Sequence, residues 1–83
     1  MYWKITRDLL DEGSEDSQKG RERGKRREGE KMVRFTLKDD DDVTYYVGII
    51  SERAADTEAV FDPLDWATHW AGCTRLYIKG KLV

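Results

Sequence analysis

The stretch Met32–Ile50, MVRFTLKDDDDVTYYVGII, constrains the fold more than any other part of the chain. On either side of its aspartates, apolar and polar residues alternate. Val33, Phe35 and Leu37 share one face of the first run, and Val43, Tyr45, Val47 and Ile49 share one face of the second. A period of two in segments rich in β-branched and aromatic residues specifies strands, and the short polar connection specifies an antiparallel hairpin. Loop length then decides which faces meet, because a slip of one residue turns every side chain over. A two-residue turn at Asp40-Asp41 would set Phe35 opposite Tyr46 and Leu37 opposite Thr44, mixing polar and apolar groups on each face. A three-residue loop, Asp40–Asp42, instead pairs Leu37 with Tyr45, Phe35 with Val47 and Val33 with Ile49. It requires a left-handed residue at Asp42, which Asp tolerates. The expectation is this loop, with Val33, Phe35, Leu37, Val43, Tyr45, Val47 and Ile49 in the core.

Tyr2–Leu10 also alternates, with Trp3, Ile5 and Leu9 on one face and Arg7 interrupting the apolar set, as in a strand whose middle lies near an edge. Asp11–Lys31 has no apolar residue. Burial offers it nothing to offset the roughly 1–2 kcal/mol per residue of ordering entropy. Its recurring Gly20, Gly24 and Gly29 oppose an isolated helix. It is expected to be a charged, disordered loop between the first two strands. Ser51–Ala59 reads as a polar connection. Asp62 and Pro63 then form a helix start, with Asp62 as N-cap and Pro63 in the first position. Phe61 and Trp66 are spaced as a hydrophobic staple, and Gly72 is a natural stop. Thr74–Ile78 alternates again, and Lys79-Gly80-Lys81 reads as a tight turn or bulge.

The 83 residues make one small domain. The expected class is α+β: a four-stranded antiparallel sheet with one short helix on one face, residues 11–31 being the inserted loop. The alternative is a small curved β-barrel capped by the helix. Apolar and charged residues each make up 39% of the chain, so the charge must lie outside the core. A net charge of −2 from many opposed charges leaves no global field to steer a partner. A single cysteine, Cys73, forms no internal disulfide and suits a reducing compartment. With no apolar run of membrane-spanning length and no signal-peptide pattern at Met1–Leu10, the expected location is the cytoplasm, without membrane association.

Several short motifs give the chain a likeness to known sequences. They are Tyr2-Trp3-Lys4-Ile5-Thr6, Phe35 and Leu37 with Asp39-Asp40-Asp41, and Tyr45-Tyr46 with Gly48. Pro63-Leu64-Asp65 and Ala71-Gly72-Cys73-Thr74 complete the set. In these the chain resembles a family of small bacterial proteins of the plasmid- and phage-associated type. Members place Gly after the aspartates, where this chain has Asp42. The resemblance implies the hairpin and no activity.

No nucleophile–base pair, carboxylate dyad, phosphate-binding Gly loop or complete ligand set stands out, so neither an enzyme nor a bound metal or cofactor is expected. Asp39–Asp42 lacks the alternation, Gly and terminal Glu of a calcium loop and reads as turn chemistry. His69 and Cys73 are four apart but separated by the helix-ending Gly72 and lack further ligands. Cys73 reads as a small buried hydrophobe and His69 as a surface residue.

Two binding features remain. The register turns Tyr2, Lys4, Arg34, Tyr46, Arg75, Tyr77 and Lys79 to the sheet face away from the helix, with Thr36, Met32 and Ile50. Tyrosines among cations suit a protein partner or single-stranded nucleic acid. The tract Lys19, Arg21, Arg23, Lys25, Arg26 and Arg27 could add contact with phosphates, diluted by its glutamates. The expected function is a non-enzymatic interaction module binding a protein partner or a second copy of itself. Weak nucleic-acid binding through that face and the tract is the second reading.

Overall fold

The computed structural model describes all of residues 1–83. Six strands form one antiparallel sheet: β1 (Tyr2–Asp8), β2 (Glu22–Gly24), β3 (Met32–Lys38), β4 (Thr44–Ser51), β5 (Arg75–Ile78) and β6 (Lys81–Leu82). Their spatial order is β2-β1-β4-β3-β5-β6, so the sheet is open at β2 and β6 and does not close into a barrel. Between β4 and β5 run a helical turn α1 (Glu52–Ala55), a 3₁₀ turn (Glu58–Phe61) and helix α2 (Asp62–Ala71), which packs on one face. The α+β class therefore holds, with six strands and two helices rather than four and one. No helix is long and apolar enough to cross a membrane.

The extra strands come from pairing that leaves no hydrophobic signature. The edge strand β2 aligns Glu22, Arg23 and Gly24 with Lys4, Trp3 and Tyr2. Backbone bonds Ile5 N–H to Arg21 O and Gly20 N–H to Ile5 O, both 2.8 Å, continue the contact. Part of the stretch expected to lack structure is thus held by main-chain bonds to an open strand edge rather than by burial. Nearer β1, Asp8 organises the turn. It is 3% exposed, and its carboxylate accepts from the N–H groups of Leu10, Asp11 and Gln18 at 2.9, 3.0 and 2.8 Å. The two-residue β5–β6 hairpin needs Lys79 and Gly80 both at positive φ, 51° and 79°, the signature of a type I′ turn.

The acidic connection has the expected length. Asp42 is left-handed (φ 63°), and Asp39 N–H bonds Val43 O across the closing pair at 3.1 Å. The expected register nevertheless fails one residue later. Lys38 faces Thr44, but Leu37 faces Tyr46, leaving Tyr45 as an extra residue in a β-bulge. From there Leu37, Phe35 and Val33 pair with Tyr46, Gly48 and Ile50, and these line the core. Tyr45, Val47 and Ile49 are only half-buried, and Val43 is exposed. Gly48 explains the choice. The Phe35 ring and the Lys4 carbonyl occupy the volume a Cβ would need there, so a glycine has to lie opposite Phe35. A second bulge, between Ile5 and Arg7, carries Trp3, Ile5 and Asp8 to the core side.

Helix α2 begins near the expected point and ends as expected, with Gly72 left-handed at φ 76° and its N–H returning to the last turn. Asp62 performs a different task from capping. It accepts the Trp3 indole N–H at 2.7 Å and the Arg23 guanidinium at 3.1 Å, joining α2 to β1 and β2. Trp3 lies edge-on to Phe35 (centroids 6.2 Å) and tilted against Trp66 (5.8 Å), so the aromatic core crosses from sheet to helix.

The bulge makes neighbouring residues unequal. Ile50→Thr is expected to cost about 3 kcal/mol, whereas Ile49→Thr costs about 1 kcal/mol or less. Gly48→Ala should cost about 2–3 kcal/mol, because backbone forms one wall of the gap. Urea midpoints at constant m-value check all three.

Candidate functional site

No helix covers the second face of the sheet. Three strands meet at its centre: Ile49 lies between Lys4 of β1 and Arg34 of β3. In the next row Val47 lies between Arg7 and Thr36, with Tyr77 beyond Thr36. Lys38 and Arg75 form the pair after that. The face therefore has a small apolar centre flanked on both sides by cations. Arg7 is neutralised by Glu12 at 2.9 Å, and Lys38 and Arg75 lie 3.4 and 3.8 Å from Asp42. Lys4 and Arg34 make no ion pair.

The structure brings together Lys4, Arg34, Arg75 and Tyr77 of the expected face and corrects the rest. Tyr46 is turned into the core, 1% exposed, because of the bulge at Tyr45; Ile50 is buried for the same reason. Tyr2 is also buried, its ring held by a hydrogen bond from its hydroxyl to Glu22, which with burial raises its pKa. Lys79 lies in the β5–β6 turn rather than on the face. Tyr77 is half-buried beneath the Lys38 ammonium (4.7 Å to the ring centroid) and donates to Asp42 at 2.8 Å. The residues missed from sequence are Val47 and Ile49, hidden by the bulge at Tyr45, and Arg7, hidden by the one after Ile5.

The basic tract divides. Arg21 and Arg23 flank Glu22 on β2 and reach to the helix side. The Arg21 guanidinium sits 5.2 and 5.3 Å from the ring centroids of Trp66 and Trp70, and Arg23 pairs with Asp62. Lys19, Lys25, Arg26 and Arg27 are exposed and make no ion pair.

The aspartates of the hairpin serve the turn and the neighbouring strand. Asp39 accepts the N–H groups of Asp41 and Val43, both at 2.9 Å, and the Val43 bond leads the effects that hold its pKa below the usual carboxylate range. Asp40 accepts the Thr74 hydroxyl at 2.6 Å. Asp42 is held low first by the Tyr77 hydroxyl, then by Lys38 and Arg75. No three His, Cys, Asp or Glu side chains are grouped to hold a metal ion. His69 is exposed on α2 with its Nδ1 2.8 Å from Asp65 O, whereas Cys73 is fully buried. Burial pushes the Cys73 thiol up to about 12, with the Asp39 charge adding to it. Burial, then the Asp8 charge, pushes Tyr46 to about 12 as well.

These two shifts set an alkaline limit. The folded chain keeps both protons after the unfolded thiol and phenol, with ordinary values of 9.0 and 10.0, have lost theirs. The folded state then binds more protons, and stability falls as pH rises. Full stability is expected below pH 9.0, with decline from there through about 12. In Cys73→Ala the decline should begin only near pH 10.0, where Tyr46 and the other raised tyrosines, Tyr2 and Tyr45, contribute. Urea melts across this range test the onset, and iodoacetamide should label Cys73 only in unfolded protein.

No protein-family model, curated protein or solved structure matches the chain.

Proposed function

We propose that the chain is a non-enzymatic interaction module whose uncovered sheet face binds an acidic protein partner. The observation that supports this best is the row Lys4–Ile49–Arg34, a central apolar side chain between two cations that make no ion pair, the Glu22 carboxylate across from Lys4 being engaged by the Tyr2 hydroxyl. Apolar surface at the centre of a polar rim is the usual anatomy of a recognition patch. Carboxylates on the partner would complement the rim and raise the association rate.

The same arrangement weighs against the other readings. Two copies meeting face to face would oppose like charges, so a dimer through this surface is disfavoured. Single-stranded nucleic acid needs aromatic planes for stacking. Tyr2 and Tyr46 are buried, Tyr77 is engaged by Lys38 and Asp42, and Arg21 and Arg23 are turned to the helix side.

The chain is expected to be monomeric by light scattering. A photo-reactive amino acid at Ile49, introduced in cells, should give a discrete protein adduct that Lys4→Glu with Arg34→Glu removes. The same probe at Thr68, on the exposed side of α2, should not. Equal adducts at both positions, or an adduct indifferent to the charge reversal, would sink the proposal. An oligothymidylate that shifts the Ile49 amide at moderate salt would favour the nucleic-acid reading instead.

A further inference from the structure

On the helix side, between the turn after β1 and the C-terminal half of α2, lies a cleft of about 620 Å³. That volume is within the range of small-molecule sites. Trp70, Tyr45 and Tyr46 contribute aromatic surface, and Asp11, Glu15 and Asp16 line the cleft with them. Trp70 is 57% exposed although it stacks on Trp66, at 6.3 Å and 19°. An indole left this open on a short helix is surface that water covers poorly.

Tyr46 supplies the second observation. The residue is 1% exposed, its ring is packed 5.0 Å from Trp66, and it lines the cleft; its hydroxyl makes no hydrogen bond within the chain. The hydroxyl is not one of the side-chain atoms sealed from solvent without a partner, so it keeps contact with solvent at the cleft and is free to accept from a ligand. The buried Asp8 carboxylate is cross-strand from it and also lines the cleft, satisfied by three backbone N–H groups and paired with no cation. No Lys or Arg lines the cleft; the Arg21 guanidinium, held over the Trp66–Trp70 pair, is the one cation whose charge is felt at Tyr46, against those of Asp8 and Asp11.

We propose that this cleft binds an alkylammonium group, its N–H donating to the Tyr46 hydroxyl and its methylenes lying on Trp70. Aromatic faces attract cations, and the four carboxylates strengthen that attraction. An anion is repelled here, and a neutral alcohol gains nothing from the charge. A hard metal ion would need converging oxygens, and no such group is present. A lysine side chain on a protein and a free polyamine carry the same chemical group.

The test is an NMR titration of the ¹⁵N-labelled full chain with n-butylammonium chloride, n-butanol and sodium chloride being the controls. Saturable shifts of the Trp70 indole N–H and the Tyr46 amide are expected with butylammonium alone. Tyr46→Phe keeps the packed ring and should weaken binding about fivefold, the worth of one hydrogen bond. Trp70→Ala should weaken it by a similar factor of about five. Should either variant melt early, Glu15→Gln with Asp16→Asn, both exposed, must weaken binding in the same sense. Shifts that never saturate, equal binding of butanol, or affinity unchanged in the variants overturns the proposal. Spermidine and the tripeptide Gly-Lys-Gly identify the source: tighter spermidine marks a polyamine site, and a tighter tripeptide marks a protein lysine.

Discussion

The Phe35 ring and the Lys4 carbonyl converge on the space above Gly48, in the middle of the sheet's most buried strand. Only a residue without a Cβ fits there, so this contact decides which residue of β4 lies opposite Phe35. The bulge at Tyr45 follows from it, as does the exchange of Tyr46 and Ile50 into the core for Val47 and Ile49. β4 pairs with β1 as well as β3, and the irregularity after Ile5 keeps Trp3, Ile5 and Asp8 on the same side as Gly48. Trp3 in turn reaches Asp62 and Trp66, so the docking of α2 rests on the same register.

The legible parts of the chain were those governed by local chemistry. The odd-numbered loop, left-handed Asp42, the Pro63 helix start and the Gly72 stop are each set by a few adjacent residues and appear where expected. The placement of Cys73 inside and His69 outside also follows from residue character. The failures share a cause, which is that the deciding partner was distant in sequence. Hydropathy alone favours Tyr45, Val47 and Ile49 as the inner set, and it is overruled by a ring thirteen positions from Gly48. Gly48 within an otherwise bulky strand was the available signal, since such a glycine often marks close approach of another group. The strand at Glu22–Gly24 carried no signal of that kind; a backbone edge accepts almost any sequence. The candidate face was accordingly half legible: Lys4, Arg34 and Arg75 were named for it, whereas Arg7, Lys38 and its apolar centre were not.

Charge is sorted by the fold in a way the nearly balanced total conceals. The uncovered sheet face presents Lys4, Arg34, Lys38 and Arg75, with Asp42 beside the last two at one end and Glu22 across from Lys4 at the other. The helix side gathers Asp8, Asp11, Glu15 and Asp16 about one cleft. Arg21 and Arg23 cross to that acidic side and become fasteners, one over indole rings and one on Asp62. A surface sorted in this way carries a dipole rather than a net field, so approaching molecules are oriented more than they are attracted.

The three indoles form a graded series. Trp3 is enclosed, Trp66 is partly covered, and Trp70 is mostly open, with successive centroids 5.8 and 6.3 Å apart. Chromophores this close share excitation. Light absorbed at the enclosed end can therefore be emitted from the wet one, and the coupled transitions should give a circular-dichroism couplet that vanishes when the helix leaves the sheet. Emission colour reports on the surface around Trp70, while the couplet reports on the interior. The chain thus carries two separable optical signals, one for the surroundings of Trp70 and one for folding, without any added label.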